Sequence, residues 1–216
     1  MQPESPAGEP ARLYPVFLRL DGLPVVVVGG GPVAAGKLDG LLEAGARVTV
    51  IAPEICEPIR ACAARHPGLA LVHRGFVAGD LDGARWVVAA ATPEVNRAVS
   101  AAATARGLFV NAVDDVASAS AFLGGVVRRG SVTVAISTGG LAPALAGLLR
   151  EALDAVLPHD LERWVDVARA ARAGWKRAGT PIAERRPLLL RALGVLYRGD
   201  QAAERPPLEL AREAAS

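Results

Sequence analysis

Long apolar runs are missing from this chain. No stretch reaches 18 consecutive apolar residues, so none has the length of a membrane-spanning helix. Cysteine is scarce. Cys56 and Cys62 are the only two, too few for a disulfide framework and without metal-ligand spacing, and they read as free thiols of a reducing cytoplasm. His66, His73 and His159 stand singly, with no His-x-x-x-His pair and no His/Cys cluster, so no metal site is expected. Charge of either sign is barely in excess. A net +2 over 216 residues leaves no strong pull toward nucleic acid or a membrane surface. Lysine is nearly absent, with 2 against 22 arginines. Arginine suits planar, bidentate capture of carboxylates, although most of these side chains read as solvated surface. Residues 1–11 hold Pro, Gly and Glu but no apolar core of a leader peptide, and are expected to be a flexible lead-in.

What is present is an Ala-, Val- and Leu-rich chain, 51% apolar and long enough to bury a sizeable core. Strand and helix patterns alternate to about residue 113. Val25–Val28 is a run of β-branched residues. Ala34, Leu38, Leu41 and Leu42 then recur at helical spacing, and Gly45 ends the helix. The pattern predicts strands over 47–52, 69–73, 86–91 and 109–113. It predicts helices over 54–65 and 93–106, the last with Pro93 in its first turn and Gly107 past its end. Such alternation implies an α/β fold with a doubly wound parallel sheet. Beyond it, strands are expected at 122–127 and 132–136, with Arg128-Arg129-Gly130-Ser131 as the hairpin turn. Helices are expected at 143–157, 161–172 and 187–197. Trp164 and Trp175, eleven residues apart, share a packing face if one helix runs through Gly174. The charged tail beyond 199 is expected to fray.

The glycine turn after the first strand is the most informative segment. Gly29-Gly30-Gly31-Pro32-Val33-Ala34 is a Gly-x-Gly-x-x-Ala turn between a strand and a helix, the context a dinucleotide site requires. Gly29 permits the tight turn, Gly31 lets a pyrophosphate approach the backbone, and Ala34 lets the helix pack close. The N–H groups of the helix start, from Val33 on, with Pro32 at its first position, face the phosphates. Ligands of open parallel sheets bind beyond the carboxyl ends of the strands. Ala91-Thr92 after the fourth strand and Asn111 to Asp115 at the fifth fall there. Asp114 is thereby placed beside the nicotinamide end, where a carboxylate can accept a proton while hydride leaves a substrate. An ordinary turn cap is the competing role for this residue. Ser137-Thr138-Gly139-Gly140 before a helix can hold an anion, or can be an N-cap with a glycine bend. Pro53 and Glu54 end the second strand. Glu54 lies two or three residues late for reading a ribose, and no arginine follows the strand to favour a 2′-phosphate, so the cofactor is expected to be NAD.

Taken together these motifs resemble the siroheme-synthase dehydrogenase family, which converts precorrin-2 to sirohydrochlorin with NAD. Tyr14-Pro15-Val16-Phe17-Leu18 looks like its N-terminal strand. Val27 to Ala34 with Lys37 matches its nucleotide loop, and Ala90-Ala91-Thr92 with Val95-Asn96 its fourth βα segment. Asn111-Ala112-Val113-Asp114 matches an Asn-x-x-Asp whose Asp is catalytic. Ala135 to Gly140, Pro143 and Leu148-Leu149-Arg150 match its central strand–turn–helix. The sequence departs at Gly124-Gly125, where the family typically has a Pro, and at Ala142, usually Ser. The resemblance implies a Rossmann-like NAD-binding domain over 12–113, a small α+β dimerisation region over 114–150, a C-terminal helical domain over 151–200 and a tail from 201 to 216. It implies an interlocked homodimer in the cytoplasm and precorrin-2 as substrate. It assigns Asp114 as general base; Gly29, Gly31, Pro32, Val33, Ala34, Pro53, Glu54, Ala91, Thr92 and Asn111 to the cofactor; and Ser137, Thr138 and Gly139 to substrate carboxylates, helped by arginines such as Arg128, Arg129 or Arg150. Some relatives also insert ferrous iron, which this sequence leaves open. Some carry a fused methyltransferase, for which 216 residues leave no room. A short-chain dehydrogenase is excluded, since neither Tyr14 nor Tyr197 has a lysine four residues on. A non-catalytic NAD-sensing module remains the rival reading; it would leave the Asn-x-x-Asp and Ser-Thr-Gly-Gly sites idle.

Overall fold

The computed structural model of the chain describes residues 13–198; the expected lead-in and tail lie outside them. The chain forms two compact units, one of residues up to Gly124 with Ser137–Gly147, the other of Gly125–Ile136 with residues from Leu148 onward. The expected boundaries at 113 and 150 differ from this partition, because segment 137–147 returns to the first unit.

In the first unit, five parallel strands pair in the order β3-β2-β1-β4-β5. They are β1 (Pro24–Val28), β2 (Arg47–Ile51), β3 (Leu69–Val72), β4 (Trp86–Ala89) and β5 (Val110–Ala112). Helix α1 (Pro32–Glu43) follows β1, α2 (Glu57–Arg65) follows β2 and α3 (Pro93–Thr104) follows β4. Parallel strands buried on both faces read as continuous apolar runs, and β1 shows why. Val25 and Val27 join a cluster with Ala34, Leu38 and Leu41 of α1 and Ile59 and Cys62 of α2. Val26 and Val28 join another with Val99 and Ala103 of α3. The sheet is therefore doubly wound, as expected, and its switch point lies between β1 and β4.

Local departures have local causes. α2 starts three residues later than expected, because Pro58 occupies its first turn and Cys56 its N-cap, leaving residues 53–56 as a bend. Tyr14–Leu18 carries no strand. Pro15 has no N–H for a ladder, and the edge of β5 is already laced by the loop that follows it. There Val110 N–H donates to Ser120 Oγ at 2.9 Å, Ser120 N–H and Ala121 N–H donate to Val110 O, and Asn111 Nδ2 donates to Ala121 O at 3.0 Å.

In the second unit β6 (Gly125–Arg129) and β7 (Val132–Ile136) form an antiparallel hairpin. Arg128 and Arg129 are strand residues opposite Thr133 and Val132, not the turn. The turn is Gly130-Ser131 alone, with Gly130 at φ +56, the left-handed conformation that two-residue hairpin loops demand. Helix α4 (Pro143–Val156) begins in the first unit and continues into the second. α5 (Leu161–Ala178) runs through Gly174, as the tryptophan spacing requires, and stops at Gly179 with φ +66. It packs against α6 (Ile182–Arg198). α6 starts five residues before the expected Pro187, which it accommodates inside the helix.

Candidate functional site

The three consecutive glycines have three different surroundings. Gly29 sits at φ +130, and a Cβ there would enter the Ala90 carbonyl. Gly30 is pressed against the bend after β2, where a Cβ would enter the Glu54 carbonyl, and its own carbonyl accepts the Cys56 N–H at 2.8 Å. A Cβ on Gly31 would meet nothing within 4 Å. Two glycines thus hold the loop against its neighbours, and the third leaves open space at the start of α1. Ala34, with no exposed surface, allows the close packing of α1 on the sheet. This is the cradle a pyrophosphate fits: room at Gly31, and N–H groups of a helix start with Pro32 at its first position.

A cleft of about 170 Å³ opens beside it at the switch point, lined by Val33, Ala91, Pro93, Asn96, Val113 and Asp114. α3 is aimed there by its Thr92 cap, whose hydroxyl accepts the Val95 N–H at 3.5 Å. Asp114 is exposed and has φ +57, the one non-glycine with a positive φ among the described residues. Asp tolerates this region better than most residues but still at a cost, and such strain persists where the surroundings over-determine it. Asp115, its neighbour, has the other role open to an aspartate here. It accepts the Ser118 N–H at 3.1 Å, and the Ser118 hydroxyl and N–H hold its carboxyl below the usual carboxylate range. Both aspartates line the cleft; Asp115 caps the turn there, and Asp114 is the exposed one.

Not all the sequence-predicted residues meet at that cleft. Asn111 is buried, and its amide is directed to Ala121 rather than to the cleft lining. Its Oδ1 finds no partner among the described residues. Pro53 and Glu54 are exposed at the end of β2, with the Glu54 backbone fixed against Gly30. Ser137 Oγ accepts the Gly139 N–H at 3.1 Å and Thr138 Oγ1 accepts the Ala142 N–H at 3.2 Å. Both hydroxyls are thereby fixed as acceptors, and each keeps a proton to donate. The same turn is brought to the loop after Asp114, since a Cβ on Gly140 would lie 2.9 Å from Val116 and 3.4 Å from the Phe122 ring. Arg129 is engaged by Asp154 at 2.8 Å, so it is not a free anion receptor; Arg150 pairs with Glu151 at 3.1 Å. Asn96, matched in the sequence as part of the fourth βα segment, was given no role there. On the buried stripe of α3 with Val99, Ser100 and Ala103, its spacing reads as core, and only its polarity on that stripe marked it.

Comparisons with known proteins bear on the whole arrangement. Residues 16–125 match an NAD(P)-binding family and residues 129–155 the family described as "Sirohaem biosynthesis protein central". The chain is 41% identical over 196 residues to siroheme synthase 1 of Aeromonas salmonicida, covering 87% of this chain and 42% of that protein. It is 36% identical over 176 residues to the siroheme synthase of Pseudoalteromonas translucida, covering 81% and 37%. It thus spans about two fifths of the length of the curated relatives it matches. Among solved structures, "SirC, precorrin-2 dehydrogenase" superposes with a TM-score of 0.67 at 26% identity, covering 88% of this chain and 94% of that one.

Proposed function

Because this chain belongs to the family of precorrin-2 dehydrogenases and siroheme synthases, we propose that it oxidises precorrin-2 to sirohydrochlorin with NAD. The observation that carries the reading is the exposed carboxylate of Asp114, held at φ +57 on a cleft next to a glycine loop with open space at Gly31. NAD, when bound, takes up the hydride and its electron pair from a substrate C–H bond and becomes NADH. Asp114 accepts the proton lost from the adjacent position, and the electrons of that bond form the new double bond. The N–H groups at the start of α1 hold the pyrophosphate. Val33 and Ala91 give the cleft an apolar side. Glu54 lies at the ribose end. Its carboxylate would accept a 2′-hydroxyl and repel a 2′-phosphate, which favours NAD over NADP. The hydroxyls of Ser137 and Thr138, with the Gly139 backbone beside them, donate to substrate carboxylates, charge-assisted bonds worth ~1.5–3 kcal/mol each.

The protein acts in this reading as a cytoplasmic homodimer. Leu145, Leu148 and Leu149 form an exposed apolar row on α4, of the kind that marks a protein contact.

Anaerobic turnover of precorrin-2, followed by absorbance with NAD and with NADP, tests the activity. Sirohydrochlorin should form at a rate set by the protein, with NAD preferred. NAD binding without turnover would favour the sensing module instead.

A further inference from the structure

Asn96 is 3% exposed and sits in the first turn of α3, where its backbone N–H donates to Thr92 O at 2.8 Å, yet its side chain reaches outside the helix. Its Oδ1 accepts the Ala91 N–H at 2.9 Å, beyond the end of β4. Its Nδ2 donates to the Val113 carbonyl at 3.4 Å, beyond the end of β5. Ala91, Asn96 and Val113 all line the cleft with Asp114. One side chain therefore ties the ends of β4 and β5 to the helix that follows β4.

The second of these bonds acts on the peptide that precedes Asp114. The Val113 carbonyl and the Asp114 N–H belong to one rigid plane, and φ of Asp114 is the rotation out of that plane. That plane is held by the Asn96 amide at its carbonyl, and the plane before it by the Val113 N–H donating to Ala89 O at 2.9 Å. A left-handed aspartate relaxes unless its neighbours forbid it, and the tethers on Val113 fix the backbone from which Asp114 starts. We infer that Asn96 is a positioning residue: it fixes the peptide plane from which Asp114 projects its carboxylate into the cleft. The inference rests on Asp114 being the base, as proposed above.

The test is a double-mutant cycle on the full chain. It reads kcat and KM for precorrin-2 and the dissociation constant for NAD in Asn96→Ala, Asp114→Asn and the double variant. Asn96→Ala should lower kcat by about tenfold to a hundredfold, the scale of a misplaced reacting group, with KM and NAD affinity nearly unchanged. In the Asp114→Asn background it should cost almost nothing more, because a residue that acts through another has no effect once that other is gone. Asn96→Asp keeps the volume and the acceptor for Ala91 while losing the donor to Val113. It should lose kcat as Asn96→Ala does, and it decides the matter should Asn96→Ala fail to fold. If Asp114→Asn is crippled while the Asn96 variants keep their kcat, or if the losses multiply in the double variant, the positioning role is overturned and the base stands. If Asp114→Asn turns over normally, the base assignment falls and the positioning role with it.

Discussion

Within the glycine turn, neighbours of identical chemistry have opposite sensitivities. Gly31→Val fills the open space at the start of α1, so the fold should survive and NAD binding should collapse; calorimetry with NAD reads this directly. Gly30→Ala adds one methyl facing the Glu54 carbonyl. It should destabilise the protein by ~1–3 kcal/mol, the usual cost of overpacking, seen as a lower unfolding midpoint. The sequence pattern placed all three glycines on the turn, but it could not tell which were occupied by protein and which by ligand, since that depends on the bend after β2. Asp114 carries its own contrast. Glycine relaxes a φ of +57, so Asp114→Gly should match or exceed the wild type in stability, by up to ~1 kcal/mol, while losing dehydrogenation by ~10²-fold or more. Thermal melts and turnover on one preparation check both halves. Asp115 titrates in the other direction from a neutral turn. Its folded value lies below the ordinary 3.8, so its contribution is present above that pH and is lost as pH falls through the folded value. Amide exchange at Ser118 should quicken relative to the sheet as pH falls through that folded value.

Among the elements, legibility follows the reach of the forces that shape them. β1, β7 and α4 were evident because a buried strand or an apolar helix stripe leaves its period in the sequence. The start of α2 was misplaced because a helix start is fixed by whichever residue caps it, and Cys56 carries no polar capping signal. The hairpin was found but its turn was drawn too wide. Two arginines look like a solvated tip, and only the pairing of Arg129 with Val132 and with Asp154 shows that they belong to the strand. That register confines the turn to Gly130-Ser131, and α5 then closes on it. The Glu162 carboxylate accepts the Ser131 N–H at 2.5 Å, and a Cβ on Gly130 would meet the same side chain. Gly130→Val combines a left-handed φ with that collision. It should lower the unfolding midpoint of the second unit by the equivalent of ~2 kcal/mol or more and leave NAD affinity unchanged, a pairing that denaturation followed by tryptophan fluorescence and NAD titration can separate.

For the whole molecule, composition excluded more than it established. A small net charge and the absence of long apolar runs raise no expectation of nucleic acid or of spanning helices, and among the described residues no helix is long and apolar enough to cross a membrane. The division into units was less legible, because segment 137–147 leaves the hairpin and rejoins the sheet-bearing unit, and chain order does not announce such a return. The exposed leucines of α4 and the exposed Tyr14 and Phe17 lead to an expectation about assembly. Sedimentation at micromolar concentration should give twice the chain mass, and a monomer there would refute the homodimer. The loop 118–121 has a consequence of a different kind. By giving its own amides and hydroxyl to Val110, it withdraws the open side of β5 from any foreign strand. A parallel sheet finishes slowly, because its strands must wait for distant partners, and an unguarded margin during that wait templates aggregation. Ser120 and Ala121 follow β5 within ten residues, so the guard arrives with the strand it covers, and the nascent chain is protected before the second unit has been made.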